Sequence, residues 1–158
     1  MEIHHSAGLS PIARDVQGKL GDVAAHVLAR HPLIGTGTIQ LVIVDDEYML
    51  SLNQTYRGKA TTTDVLSFGF DDADGESLPF EIADGLEKSG GEIYISLRQA
   101  NLQADELGVS VLEELARLLT HGLLHLAGYE HDSEAELLHM ERETESLLQS
   151  FGLLMVST

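Results

Sequence analysis

The spacing of apolar residues in the first part of the chain predicts a helix followed by a strand. Apolar side chains recur at helical intervals over 12–27, after Ser10 as a helix cap and Pro11 in the first turn, and Pro32 ends the segment. The stretch 38–44 (TIQLVIV) is short and rich in β-branched residues. We therefore expect a first helix that begins at Pro11 and a buried strand at 38–44.

A second helix and two more strands are predicted next. Asp45 and Asp46 offer a cap for a helix whose apolar positions continue to Gly58, a residue suited to a helix end. The short apolar runs 65–68 (VLSF) and 92–96 (EIYIS) are typical of strands. The sheet should therefore contain at least three strands.

The second half of the chain predicts three helices. The first covers 97–107 and ends at Gly108. The next two begin at Ser110 and Ser133, each followed three residues later by a glutamate, which is the pattern of a capping box. The helix that ends at Gly128 is apolar around most of its circumference, as expected of a central, buried helix. The last helix has a predicted inward stripe of Leu137, Met140, Thr144, Leu147, Leu148 and Phe151.

Interleaved helices and strands predict an α/β or α+β sandwich around one small sheet. The 158 residues suit a single domain spanning 1–158. The segment 69–90 is acidic and longer than a plain loop, so we expect it to be functional or mobile.

Composition and charge exclude several classes of protein. The chain has no Cys, so any metal must be bound by histidine or carboxylate. No apolar run approaches the ~20 residues that span a bilayer, and the start has no signal-peptide pattern, so we expect a soluble cytoplasmic protein without a membrane partner. The net charge of −17 repels polyanions, so any contact with RNA must be local.

Three histidines have the spacing of a metal site. His121 and His125 are four residues apart on the central helix, so both imidazoles share one face and one ion can reach both. Gly128 lets the chain turn, and His131 can then return as a third ligand. The pattern H-x-x-x-H-x-x-G-x-x-H is that of metzincin proteases, and it leaves a fourth position open for catalysis. The other five histidines are expected to be structural or surface residues: His4 and His5 in a frayed terminus, and His26, His31 and His139.

The residue after the first of these histidines argues against a protease. A metzincin has its general base, a glutamate, at that position, and this chain has Gly122. Without a carboxylate beside the metal-bound water, the usual peptidase mechanism loses its proton acceptor. The pattern therefore predicts a metal site more firmly than it predicts a substrate.

Three ordered motifs cover much of the chain between 52 and 131. They read LNQTYRGKATTTDVLSF at 52–68, GEIYIS at 91–96 and HGLLHLAGYEH at 121–131. All three resemble motifs of the YbeY family of endoribonucleases and rRNA maturation factors. Glu130 stands where aspartate is more usual in that family, and Gly69 stands where a proline often follows. Neither change affects a predicted ligand.

This resemblance implies a single-domain α+β metalloprotein with a small mixed sheet, several helices and one zinc ion held by His121, His125 and His131. It implies a metal-dependent, single-strand-specific endoribonuclease that matures the 3′ end of small-subunit rRNA and acts in ribosome biogenesis and quality control in the cytoplasm. The implied partners are ribosomal RNA and ribosomal or ribosome-assembly proteins, with no dinucleotide cofactor. By position, the family's functional arginine is Arg57. Other divalent transition metals would tolerate the same ligands.

Arg57 also stands out from the residues alone. It lies between the end of a helix and Gly58, which suits a side chain that projects toward a cleft, and its guanidinium can hold two phosphate oxygens at once. The alternative is a surface cation or a partner for Asp64. Lys59 and Arg98 are weaker candidates for contact with RNA.

The residues leave the mechanism and one competing class open. Either a metal-activated water or the RNA 2′-hydroxyl could attack, and no general base is identified. Glu130 and Asp132 could orient an imidazole by hydrogen bonding. The competing class is a non-enzymatic ribosome-assembly factor with a structural zinc site, whose fourth ligand would be Asp132 or His139. A peptidase keeps the open metal position but lacks the glutamate.

Overall fold

The structure, a computed structural model, describes residues 1–32, 37–69, 89–130 and 132–153. In chain order its elements are β1 (Glu2–His5), α1 (Arg14–Arg30), β2 (Thr38–Val44), α2 (Asp46–Arg57), β3 (Val65–Gly69), β4 (Ser89–Ser96), α3 (Leu97–Leu107), α4 (Val111–Leu126) and α5 (Glu134–Phe151). The predicted strands at 65–68 and 92–96 are therefore present and longer than expected. Their added residues use both ends of the predicted loop 69–90, and the rest of that loop lies outside the described residues.

The four strands form one mixed sheet in the order β1-β2-β4-β3. β1, β2 and β4 are mutually parallel, whereas β3 runs antiparallel to β4. A parallel pair needs a crossover connection, which α1 supplies between β1 and β2. A small mixed sheet with several helices confirms the predicted α+β class.

The N-terminus is a strand, and its prediction as a frayed terminus is wrong. β1 pairs with β2 along its whole length, with Ile3 opposite Leu41. The His4 ring donates from Nε2 to the Gln40 side-chain oxygen, and His5 Nε2 accepts from the Ile12 backbone N–H at 3.1 Å. Both histidines are therefore structural, as predicted, although in a paired strand.

α1 begins at Arg14, so the predicted start at Pro11 is wrong. Ala13 is the N-cap, and no side chain caps this helix. The backbone of Ile12 is engaged on both sides, since its N–H donates to His5 and its carbonyl accepts from the Gln17 side chain at 2.8 Å. These contacts fix Ile12 as a connection to β1 instead of a helical residue.

The sheet has two buried faces because successive strand side chains point to opposite sides. One face contributes Ile39, Leu41, Ile43, Ile93 and Ile95 to a large core shared with α1, α4 and α5. The other contributes Val42, Val44, Phe68 and Tyr94 to a smaller core beneath Met49 and Leu52 of α2.

α4 is the central helix, as predicted. It contacts α1, α3, α5, β3 and β4, and most of its side chains are buried. Residues 132–139 are all exposed, and the part of α5 that packs on α4 begins at the buried Met140. The prediction that Leu137 points inward is therefore wrong, and its side chain is 39% exposed. No helix in the described ranges has the length and apolar character needed to cross a membrane.

Candidate active site

A cavity of about 650 Å³ opens where the end of α2, the start of β3 and the turn after α4 meet. It is lined by Asn53, Arg57, Lys59, Thr61, Thr62, Thr63, Val65, Leu66, Ser67, His125, Gly128, Tyr129, Glu130 and Asp132. Five residues singled out from the sequence are thus brought together from two distant parts of the chain. They are Arg57, Lys59, His125, Glu130 and Asp132.

Arg57 is positioned by the way α2 ends. Gly58 closes the helix in the left-handed conformation at φ 69°, and the buried Asn53 side chain donates to the Thr61 carbonyl at 2.7 Å, which fixes the following loop. Arg57 Nη2 then donates to the Ser67 carbonyl at 3.0 Å. A guanidinium has five N–H donors, so this single bond leaves most of them available to a ligand.

Arg57 and Asp64 bond to different partners, so the alternative role of Arg57 as a partner for Asp64 is wrong. Asp64 accepts from the backbone N–H of Val65 at 2.8 Å, while Arg57 donates to Ser67 on β3. The Arg57 guanidinium carbon also lies 5.2 Å from the centre of the Phe68 ring, within the range of a cation–π contact. The side chain is exposed but held at a defined place beside β3.

His121 and His125 lie on adjacent turns of α4, as the spacing predicts. Their ring centres are 5.1 Å apart and their planes are inclined at 76°. Both residues are half-buried, and His125 lines the cavity. The third predicted ligand, His131, lies outside the described residues.

At Gly122, between these histidines, α4 packs closely against the sheet. A Cβ at this position would be 2.9 Å from Ile93 Cγ2 and 3.0 Å from Ser67 Oγ. Any side chain at this position would therefore begin in close contact with Ile93 and Ser67 of the sheet. The packing of α4 on the sheet therefore leaves little room at this position for the glutamate of a metzincin.

The turn after α4 brings its two acidic residues to the cavity. Gly128 has φ 104°, in the left-handed region, and the Tyr129 N–H donates to the Leu124 carbonyl at 2.9 Å. This closes the helix and places Glu130 and Asp132 at the cavity, both exposed to solvent.

A family model described as "Endoribonuclease YbeY" matches residues 9–152. The chain belongs to the YbeY family. A relative from Moorella thermoacetica named Endoribonuclease YbeY is 38% identical over 143 residues, 90% of this chain and 91% of the relative. Another relative of the same name, from Desulforamulus reducens, is 43% identical over 115 residues, which cover 73% of this chain and 72% of that relative. The family resemblance expected from the three motifs is confirmed.

The fold also has a solved counterpart. The solution structure of the Thermotoga maritima protein TM1509 aligns with a TM-score of 0.54 at 22% identity, covering 95% of this chain and 90% of that one. The match supports the α+β fold of this chain.

Arg98, the second cation considered for RNA contact, is not among the residues that line the cavity. It lies at the start of α3, where its Nη1 donates to Asp46 Oδ2 at 3.0 Å and its side chain is 72% exposed. The same carboxylate accepts from Ser96 Oγ at 2.8 Å. Burial alone would raise the pKa of Asp46, but the hydrogen bonds from Ser96, Arg98 and Gln99 and the charge of Arg98 outweigh it and lower that pKa.

Several residues that line the cavity were not predicted from the sequence. Asn53 and Ser67 belong to the first motif, but their roles depend on a loop carbonyl and on an arginine brought close by folding. Tyr129, in the third motif, stacks on His139 of α5 with ring centres 5.4 Å apart. These three residues belong to the recognised motifs, but the residues that they contact cannot be predicted from the local sequence.

The donor set at the C-terminal half of α4 fits a transition metal in the part that the structure describes. Two imidazoles on one helix face, ring to ring, supply the nitrogen ligands that zinc prefers. Within the described ranges no group of three or more His, Asp or Glu side chains is close enough to hold an ion. The third predicted ligand, His131, is not among the described residues.

Proposed function

We propose that this protein is a metal-dependent endoribonuclease that cleaves single-stranded RNA in the maturation of small-subunit rRNA, at its 3′ end. The observation that carries the proposal is that Arg57 and His125 line one cavity although they lie far apart in the sequence. Membership of a family whose curated relatives are named Endoribonuclease supports the same activity. The acidic residues Glu130 and Asp132 complete a site with both signs of charge.

The metal would be one zinc ion held by His121, His125 and His131, and other divalent transition metals would be tolerated. Such an ion would supply a Lewis acid and lower the pKa of a bound water. The chain's own part is to hold the two described imidazoles ring to ring on α4, which Gly122 fixes against the sheet. Glu130 and Asp132, which line the same cavity as His125, would orient an imidazole through a hydrogen bond.

Arg57 binds the phosphate that is cleaved. Its planar guanidinium matches two phosphate oxygens and keeps its charge at every physiological pH. Because Ser67 accepts one of its N–H groups, the others are oriented before the RNA arrives, and they stabilise the charge that develops at phosphorus. Lys59, also at the cavity, adds a second cation near the RNA strand, and Arg98 could act only at longer range.

The strong negative charge shapes how RNA would be bound. Phosphate contacts normally come from many cations, and this chain has 9 Lys and Arg in all. We therefore expect weak, salt-sensitive binding to naked RNA and firmer engagement on a pre-ribosomal particle in the cytoplasm, where basic ribosomal or assembly proteins can meet the acidic surface. Tight binding to naked RNA at physiological salt would contradict this.

The test is metal-dependent cleavage of a single-stranded ribosomal RNA fragment. The protein is stripped with a chelator, assayed, and assayed again after zinc is restored, beside a duplex of the same sequence. We expect cleavage of the single strand only when metal is present. Products that end in a cyclic phosphate would identify the RNA 2′-hydroxyl as the attacking group, and their absence would favour water. Equal cleavage with and without metal would overturn the proposal.

A further inference from the structure

Tyr56 is an aromatic side chain that the nuclease proposal does not use. Tyr56 directly precedes Arg57 in the sequence, and its side chain is 46% exposed. Its ring packs at 68° against Phe68, with ring centres 5.3 Å apart. Phe68 in turn packs on the fully buried Tyr94 at 5.8 Å. Tyr56 is therefore an exposed ring with a rigid aromatic support.

Tyr56 and Arg57 both lie against the same Phe68 ring. The Arg57 guanidinium carbon is 5.2 Å from the centre of that ring, and the Tyr56 ring centre is 5.3 Å from it. The base and the phosphate of one nucleotide are separated only by a sugar. A base of a single strand can therefore contact Tyr56 while a neighbouring phosphate contacts Arg57. Gly58 and the cavity residue Lys59 follow directly, which gives an aromatic, a guanidinium and an ammonium group within four positions.

Because the chain is strongly negative, a contact that binds RNA without using a cation would contribute to affinity. With a net charge of −17, the chain as a whole repels a polyanion. Stacking of a base on an aromatic ring is tolerant of sequence and needs no cation, and aromatic platforms beside basic groups are the usual means of holding single strands. A base inside a duplex is already stacked on its neighbours and cannot make this contact.

We propose that Tyr56 is a base-stacking subsite that binds an unpaired nucleobase of the RNA strand whose phosphate Arg57 holds. The inference rests on the proposed function and deepens it, because it gives a physical reason for a preference for single strands. Tyr56 acts in binding the substrate and takes no part in the chemistry.

The test is equilibrium binding of a short, fluorescently labelled adenosine oligonucleotide with 2′-O-methyl sugars, compared with versions in which one base at a time is removed. It uses the full chain, as wild type, Tyr56→Leu and Tyr56→Phe. The matched control is Tyr48→Leu, since Tyr48 lies two turns earlier on α2, is 37% exposed and likewise packs on a buried aromatic ring, that of Tyr94. Thermal melting of each variant checks that it is folded.

We expect Tyr56→Leu to weaken binding about tenfold, a loss typical of one stacked base, while Tyr56→Phe and Tyr48→Leu stay close to wild type. Removal of one particular base should weaken the wild type by a similar factor and leave Tyr56→Leu unaffected. The loss should persist as salt is raised, unlike the loss from a removed cation. Equal binding by wild type and Tyr56→Leu, or an equal loss in Tyr48→Leu, would overturn the proposal.

Binding and cleavage separate the two proposals. If Tyr56→Leu binds normally while cleavage by the wild type requires metal, the nuclease stands and the stacking subsite fails. If the stacking pattern is found but cleavage does not depend on metal, the subsite stands and the proposed catalysis fails.

Discussion

Gly122 of α4 lies so close to Ile93 of β4 that a Cβ on the glycine would stand 2.9 Å from the Ile93 Cγ2 atom. Ile93 is fully buried in the middle of the sheet, so its methyl group has little room to move. The contact holds α4 against the sheet directly beside His121. It links the packing of the core to the placement of the histidine pair.

Gly122→Ala should lower the free energy of unfolding. Overpacking costs about 1–3 kcal/mol, and better helix propensity returns about 1 kcal/mol, so we expect a net loss of about 1 kcal/mol. The control is Gly18→Ala on α1, where nothing lies within 4 Å of the added Cβ, and which should gain about 0.5–1 kcal/mol. Urea unfolding of both variants makes the comparison, and a gain in both would contradict the close contact.

His125→Ala should lose bound zinc. In the proposed site, removing one of three nitrogen ligands would leave too few to hold the ion through dialysis. The control is His26→Ala, because the His26 ring lies on α1 and bonds to Ser150 of α5 at 2.8 Å, away from the cavity. Elemental analysis of the dialysed proteins gives the metal content. Zinc retained by His125→Ala would refute its role as a ligand.

Arg57→Ala should slow RNA cleavage by about 10²–10³-fold, the usual effect of losing a donor to transition-state charge. Arg57→Lys keeps the charge but loses the two-pronged donor, so an intermediate rate is expected. Because the side chain is exposed, stability should change by less than about 1 kcal/mol. Single-turnover rates and melting curves check both points, with exposed Arg142→Ala of α5 as the control. A Lys variant as slow as the Ala variant would contradict a role that depends on charge.

Asp46→Asn should destabilise the fold at neutral pH by about 1 kcal/mol, because the ionised carboxylate accepts from Ser96 and Arg98. The pKa of Asp46 is lowered in the folded state. Its contribution is therefore complete above the unfolded-state pKa and is lost as the pH falls through the folded-state pKa, below about pH 4. Unfolding of both proteins across this range should show the difference shrinking toward acid. A difference that does not change with pH would argue against the ionised carboxylate as its source.

Features decided by near neighbours in sequence were predicted well. The bounds of α3, the caps at Asp45 and Ser110, and the helix end at Gly58 all depend on residues within about four positions. The His121 and His125 pair follows from helical periodicity for the same reason.

Features decided by distant partners were not predicted. β1 exists because β2 offers a parallel edge, and the late start of α1 follows from the bond between Ile12 and His5. In the site, the hydrogen bond from Arg57 to Ser67 forms only because α2 and β3 come together. Both residues belong to the motif at 52–68, but the motif does not predict this contact. Leu137 fits the helical stripe, but α5 extends past its neighbours there, so periodicity alone misplaces it.

The role of His125 and Arg57 in cleavage is tested by single-turnover cleavage of a ribosomal RNA fragment by the zinc-loaded protein, beside His125→Ala, Arg57→Ala and His26→Ala purified in the same way. We predict cleavage by the wild type and by His26→Ala, and loss of cleavage in the other two variants. Equal cleavage by all four proteins, or none by any, would contradict a nuclease that acts through His125 and Arg57.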